Sequence, residues 1–393
     1  MRLPSGFDLT YCTNVHAGAS WAEARRALAE HVPELRARVA PGGQPFGLGL
    51  WLGADAAATL AQPVALAEFR TWLEENRAYV FTLNGFPYGR FHGARVKENV
   101  YRPDWTERAR LDHTLRLFDL LARLLPAGAT PGSINTVPGT YKGFGLDDSA
   151  RRQIFRHLAE AAAELDKLRD REGRDFVLGL EPEPLGLLET TEETVAFFRE
   201  FWALPDTPRC AREVIGVTAD CCHQAVEFEE PAEALALWRD AGVRLAKIHL
   251  SAALRFAPTN DALAALGAFD EPVYLHQVIV GGPRGVGRRF GDLPEALAWA
   301  RPLAPSARGA EWRVHFHVPL HAAVPPPLGD TRAALAGVFD FLARDPAACP
   351  HLEMETYTWA VLPEGLRAAR VGEQLAAEYA WTLGELRQRG LAE

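Results

Sequence analysis

Phe176-Val-Leu-Gly-Leu-Glu181 is a short apolar run that ends in a carboxylate, and three later runs likewise end in a carboxylate or an imidazole. They are Ile215-Gly-Val-Thr-Ala-Asp220, Leu245-Ala-Lys-Ile-His249 and His351-Leu-Glu-Met-Glu355. Each sits just before loop-like sequence, which is where the carboxyl ends of parallel strands bring side chains to one shared face. Burying Glu, Asp or His at such ends is costly unless the charge is paired or bound to a cation. Consecutive strands that share this cost point to a compensating ion. Glu353 and Glu355 alternate with Leu352 and Met354, so both face one side of their strand. The deeper Glu353 suits an Arg or Lys partner, and Glu355, nearer the carboxyl end, suits a ligand.

Outward from these runs the chain alternates β-rich stretches with longer stretches of helical period, the signature of repeated βα units. Strands are expected at 7–12, 46–51, 79–84, 132–136, 176–181, 215–220, 245–250, 312–318 and 352–356, with a short one from Tyr274 to Val280. Helices are expected between them, several with capping signals such as Thr190-Thr-Glu-Glu and Asp147-Asp-Ser. The expected architecture is an α/β fold, a single (β/α)8 TIM barrel over 1–393. Two strand candidates are surplus to eight. The turn-rich stretch 256–292 reads as an insertion, a lid over the C-terminal face. An open doubly wound sheet is disfavoured, because Cys12-Thr-Asn-Val-His16-Ala-Gly after the first strand lacks the glycine pattern of a phosphate turn.

The net charge of −9 over 393 residues argues against a nucleic-acid or anionic-membrane partner and leaves a small-molecule substrate. The cysteines, Cys12, Cys210, Cys221, Cys222 and Cys349, are odd in number and form no C-x-x-C pair, so neither a disulfide framework nor a zinc ribbon is expected. Reduced thiols, together with a start that has no apolar signal region, make a cytoplasmic location the expectation. No G-x-S-x-G elbow, Walker loop or H-E-x-x-H is present, which moves serine hydrolases, nucleotide phosphoryl transfer and that protease class down.

Asp220-Cys-Cys-His223 can turn an acid and an imidazole toward one ion. His315 and His317 share a face by strand period, and either serves as a metal ligand or as a buried structural histidine. Asn14, His16, Asn84 and Asn135 are rim polar groups. The first three join the candidate substrate contacts, although for each alone turn formation is the simpler reading. Arg284, Arg288 and Arg289 fit an anion clamp or a solvated loop.

The ordered set of Glu181, Asp220 with His223, His249 with Arg255 six residues on, and Glu355 resembles the xylose isomerase-like TIM barrels, and within them the ketose 3-epimerases. That resemblance implies one divalent ion held by Glu181, Asp220, His249 and Glu355, with His223 and Arg255 on the substrate. The stretch between His249 and Glu355 is longer than in those epimerases, so His317 stands as the alternative fourth ligand. Leu9-Thr-Tyr-Cys-Thr-Asn14-Val-His16, Tyr79 to Gly89, His315-Phe-His317-Val-Pro and His351 to Trp359 are further similar to the EboE family of metabolite traffic proteins. This implies a part in handling a secondary metabolite and a functional link to a prenyltransferase-like membrane protein.

The leading expectation is therefore an isomerase or epimerase that works through an enediolate. Glu181 and Glu355 act as base and acid, and His223, Arg255, Asn14, His16, Asn84 and His317 contact substrate. An oxygen-rich ligand set with one imidazole suits Mn²⁺, Mg²⁺ or Co²⁺, with Zn²⁺ also possible. The rivals are a phosphoesterase resembling endonuclease IV, using His16, His315 and His317 for extra ions, and a non-catalytic metabolite-binding protein.

Overall fold

The computed structural model describes residues 1–393 except 41, 94, 127, 129, 130, 283 and 284. Eight parallel strands form the central sheet: β1 (Asp8–Tyr11), β2 (Phe46–Trp51), β3 (Ala78–Asn84), β4 (Gly132–Thr136), β5 (Phe176–Leu180), β6 (Ile215–Asp220), β7 (Arg244–Leu250) and the last strand of the chain, His351–Met354. Their order runs β1, His351–Met354, β7, β6, β5, β4, β3, β2. The seam between β1 and β2 is bridged at Cys12 and Gly49. There the Thr10 hydroxyl accepts from Gly49 N at 3.0 Å and donates to Gly47 O at 2.9 Å. The ring closes into a (β/α)8 barrel.

The helices form because their apolar residues recur at helical spacing, and several have capped first turns. In the helix Arg108–Leu124, Leu111, Leu117, Phe118, Leu121 and Leu124 are all buried. Each side chain of this kind contributes roughly 1.5–3 kcal/mol on burial. Thr190 closes a capping box with Glu193 ahead of the helix Thr191–Ala203, and Asp147 accepts from Ala150 N ahead of Asp148–Glu172.

The two surplus strand candidates lie outside the barrel. Between β7 and the last barrel strand the chain builds a second, antiparallel sheet of five strands. These are β8 (Leu254–Phe256), β9 (Val278–Gly282), β10 (Gly285–Phe290), β11 (Glu311–Val314) and β12 (Gly329–Asp330), so the last barrel strand, His351–Met354, is β13. The stretch 256–292 falls within this region. Strand β11 ends at Val314, so His315 and His317 stand in the segment that leaves it rather than on a strand.

Polar side chains fill the barrel interior in layers. In one, Ser133 Oγ meets His351 Nδ1 at 2.7 Å and the Thr82 hydroxyl at 2.9 Å. In another, Lys247 Nζ is 2.7 Å from Glu353 Oε2 and 2.7 Å from Asn84 Oδ1, while Asn84 Nδ2 donates to Glu353 Oε1 at 2.8 Å. Gly49 is required beside this cluster, because a Cβ there would stand 1.7 Å from Glu353 Oε1. Next to it, at the carboxyl ends of the strands, lies the candidate site.

Candidate metal centre

Strand alternation turns Lys247 and His249 inward together, and Glu353 and Glu355 likewise. Glu181 follows β5, where its backbone N–H donates to Thr136 O at 3.0 Å, and Glu355 follows β13 with its N–H on Leu250 O at 3.2 Å. Asp220 ends β6 and caps the next helical turn by accepting from His223 N at 3.0 Å. All four side chains are buried, and Glu181, Asp220, His249 and Glu355 each bring a ligand atom within 4.8 Å of the others.

Each carboxylate is anchored through one oxygen and turns the other inward. Asn135 Nδ2 donates to Glu181 Oε2 at 2.6 Å, Asn14 Nδ2 to Glu355 Oε1 at 2.7 Å, and Ser251 Oγ to Asp220 Oδ1 at 2.8 Å. The remaining oxygens face one atom. His249 Nδ1 is 2.9 Å from Glu181 Oε1, 2.9 Å from Glu355 Oε2 and 3.5 Å from Asp220 Oδ2. Asp220 Oδ2 has no hydrogen-bond partner among the described residues. Behind the imidazole, His249 Nε2 meets Glu353 Oε2 at 3.1 Å. A carboxylate there fixes the Nε2–H tautomer and leaves Nδ1 to act as a ligand.

This donor set fits a divalent cation. Burial alone would lower the His249 pKa, but the Glu355 and Glu181 carboxylates prevail and hold it well above the usual range. Without a cation, one imidazolium must therefore answer three inward carboxylate oxygens. A divalent ion would take that place and leave His249 neutral as a fourth ligand, and buried His, Asp and Glu clusters of this kind are suited to such an ion.

A second group of imidazoles adjoins the first. His223 and His315 bring their Nε2 atoms to 3.1 Å, and the His317 ring centroid is 5.7 Å from that of His223 and 5.3 Å from that of His315. The Glu183 carboxyl lies 3.6 Å from His315. Burial, then the Glu181 charge, pushes its pKa well above the ordinary carboxylate value. Asn14, Asn135, Glu181, Glu183, His223, His315, His317 and Glu355 all line one cleft of about 520 Å³ of empty space including its mouth. Its wall is apolar and aromatic: Phe86, Phe91, Tyr274 and Tyr357.

Other expected site residues lie elsewhere. Arg255 was aligned with the substrate by resemblance, but it stands on β8 with its side chain 48% exposed and 3.8 Å from Glu311. The chain turns away into the second sheet directly after Ser251, which carries Arg255 off the barrel mouth. Asn84 belongs to the Lys247–Glu353 layer and does not line the cleft. His16 hydrogen-bonds Tyr11 Oη at 3.0 Å and stacks on His31 at 4.4 Å, also away from the cleft. His317 does not replace Glu355 in the four-residue ligand group. Arg289 is tied to Glu189 at 2.9 Å and Glu227 at 2.7 Å, Arg288 lies over the Trp299 ring at 5.1 Å, and Arg284 is outside the described residues. Sequence reasoning passed over Ser251 and Tyr274, and it had Asn135 only as a rim group. Position at a strand end was the available signal for Asn135 and Ser251, whereas none marked Tyr274.

No protein-family model and no curated protein matches the chain. Among solved structures, the chain is similar to a xylose isomerase-like TIM barrel protein from Mycobacterium smegmatis in complex with magnesium, with TM-score 0.55, 12% identity and 99% of each chain covered. It is also similar to D-psicose 3-epimerase with D-tagatose from Clostridium cellulolyticum H10, with TM-score 0.49, 14% identity, and 98% of this chain and 99% of that chain covered. The fold that the chain shares with the magnesium-bound structure is the xylose isomerase-like (β/α)8 barrel. Among the described residues no helix is long and apolar enough to cross a membrane.

Proposed function

We propose that this protein is a metal-dependent isomerase or epimerase that acts on a small polyol or secondary-metabolite intermediate through an enediolate. The observation that carries the reading is the convergence of three singly anchored carboxylates on His249 Nδ1. Glu181, Asp220, His249 and Glu355 would hold one divalent ion; the oxygen-rich set favours Mn²⁺, Mg²⁺ or Co²⁺ and admits Zn²⁺. Magnesium in the similarly folded Mycobacterium smegmatis protein makes that ion a natural first trial. When bound, the ion supplies polarisation of neighbouring carbonyl and hydroxyl oxygens.

The protein's own groups supply the rest. Glu181 and Glu355 stand on different strand ends and both line the cleft, so one can take a proton from the carbon beside a carbonyl and the other can return one. Asn135 and Asn14 each hold one oxygen of these acids, which fixes the direction of the second. His223, His317 and Asn14 offer polar contacts to substrate oxygens. The aromatic wall, with Tyr274 and Leu275 contributed by the insertion, acts as a lid that limits water. The resemblance to EboE proteins further supports a role in metabolite traffic beside a prenyltransferase-like membrane protein, and the unpaired cysteines support a cytoplasmic one.

Deuterium incorporation tests this. Metal-reloaded protein is incubated in D2O with a panel of ketoses and α-hydroxyketones, and NMR is expected to show exchange at the carbon beside a carbonyl, lost in Glu181→Gln and Glu355→Gln. Panel members that bind equally to all three proteins with no exchange in any would replace the enzyme with a metabolite-binding protein.

A further inference from the structure

The ring of His92 joins three loops beside the carboxylate group. It stands in the segment between β3 and the short helix Lys97–Tyr101, with Nδ1 2.5 Å from Tyr274 Oη on the insertion and Nε2 2.5 Å from the carbonyl oxygen of Asn14, in the turn after β1. A carbonyl only accepts, so Nε2 carries the hydrogen. Burial outweighs the Asn14 bond and holds the His92 pKa below the ordinary histidine value, so the ring is neutral and Nδ1 keeps its lone pair. The Tyr274 hydroxyl must therefore donate to it. The series then runs one way: Tyr274 O–H to His92, His92 N–H to the Asn14 carbonyl, and Asn14 Nδ2–H to Glu355 Oε1 at 2.7 Å.

Both ends of the series are placed by the surrounding structure. Val273 and Tyr274 donate their backbone N–H groups to the Glu271 carboxylate at 2.7 and 2.8 Å, and the Val273 carbonyl accepts from Val96 N at 3.0 Å, which seats the Tyr274 turn on the loop that carries His92. The Tyr274 ring is buried against Phe91 at 4.9 Å and Tyr357 at 5.2 Å. At the other end Asn14 Oδ1 is buried with no hydrogen-bond partner among the described residues, so nothing but the Glu355 bond steers the amide, and its reach depends on where the Asn14 backbone sits. His92 fixes that backbone through the carbonyl. The imidazole itself does not line the cleft; it lines another recess, with His16, Arg90 and Trp359, and so acts on the centre through other residues.

We infer that His92 is a positioning residue for Glu355, set in place by the Tyr274 hydroxyl, so that the seating of the insertion over the barrel is felt at the fourth ligand of the metal centre. The inference rests on the metal-centre reading above and adds to it a residue and a route of coupling. Such coupling is reciprocal: what the closed series does for ion affinity, the bound ion does for closure.

Calorimetric titration of the chelator-stripped full chain with Mn²⁺ tests it. Tyr274→Phe deletes one hydroxyl and keeps the ring contacts, whereas His92→Phe deletes both bonds of the imidazole. One net hydrogen bond changes an equilibrium constant roughly threefold to tenfold, so each variant is expected to bind Mn²⁺ more weakly by about that factor. The double variant should bind no more weakly than His92→Phe alone, because the hydroxyl acts through the ring. Hydrogen–deuterium exchange read by mass spectrometry supplies the reverse arm: Mn²⁺ is expected to slow exchange in the peptides that carry His92 and Tyr274 of the unaltered protein, and to do so far less in Tyr274→Phe. A merely structural role would lower the melting temperature of the variants and move neither readout. Mn²⁺ affinity within about twofold of the unaltered protein in both variants would overturn the inference and leave the metal centre standing. Mn²⁺ bound by no form would overturn the metal centre and this inference with it. Should His92→Phe fail to fold, Tyr274→Phe decides alone by the same two readouts.

Discussion

Two neighbouring layers of the barrel hold buried carboxylates in opposite ways. In the inner layer Glu353 is fully served by the protein: Oε1 takes Asn84, and Oε2 takes Lys247 and His249. In the outer layer Glu181, Asp220 and Glu355 are each served through one oxygen, and the others share a single imidazole. The inner layer is a self-sufficient ion pair, and the outer offers the donor set of a divalent-cation site. Burial is equally deep in both, so burial alone does not distinguish a structural charge from a functional one. The number of committed lone pairs does.

The largest expected effect breaks the inner layer. Lys247→Met leaves Glu353 buried without its cation and is expected to cost about 3–5 kcal/mol in urea unfolding. Lys247→Met/Glu353→Leu should recover most of that loss, and a double variant as unstable as the single one would deny that Glu353 is self-contained. Acid acts on the same pair. Burial raises the Glu353 pKa, but Lys247 and His249 bring it down to about 2, below the value of 4.5 it has when unfolded. A depressed carboxylate stabilises above its unfolded pKa and loses that contribution as pH falls through the folded one. Stability should therefore drop by roughly 3 kcal/mol from this group between about pH 4.5 and 2. Urea melts across that range should show a shallower fall in Lys247→Met.

The outer layer answers to added ion instead. At one hundred times the dissociation constant, a cation bound only by the folded state stabilises by about 2.7 kcal/mol. Thermal melts of the unaltered protein should rise accordingly on adding Mn²⁺, and those of Glu181→Gln should rise far less. Removing one of three crowded carboxylates should at the same time leave the ion-free form no less stable. The smallest effect is expected at Arg255→Ala, where exposure predicts a change within about 0.5 kcal/mol and an unaltered ion affinity by calorimetry. A marked loss of affinity there would bring Arg255 back toward the site.

Much of this was legible in the chain because the barrel imposes a simple rule. Glu181, Asp220, His249 and Glu355 each end an apolar run, and strand ends converge. Glu353 and Glu355 could be ordered by depth from period alone, with an Arg or Lys expected as the inner partner, which the structure supplies as Lys247. Arg255 could not be placed, because its position was borrowed from proteins in which the chain continues differently after the histidine. His315 and His317 do approach each other, but from a segment beyond β11 rather than along a strand, and their companion His223 comes from another element. Ser251 escapes, and Asn135 is read only as a rim group, because a hydroxyl or amide that anchors a distant carboxylate looks in sequence like one that shapes a turn.

A crystal soaked in Mn²⁺ and measured near the manganese edge tests the coordination shell most directly. One anomalous peak should lie about 2.0–2.6 Å from Glu181 Oε1, Asp220 Oδ2, His249 Nδ1 and Glu355 Oε2. No peak there, with His249 Nδ1 still hydrogen-bonded to the Glu181 and Glu355 carboxylates at saturating Mn²⁺, would contradict it.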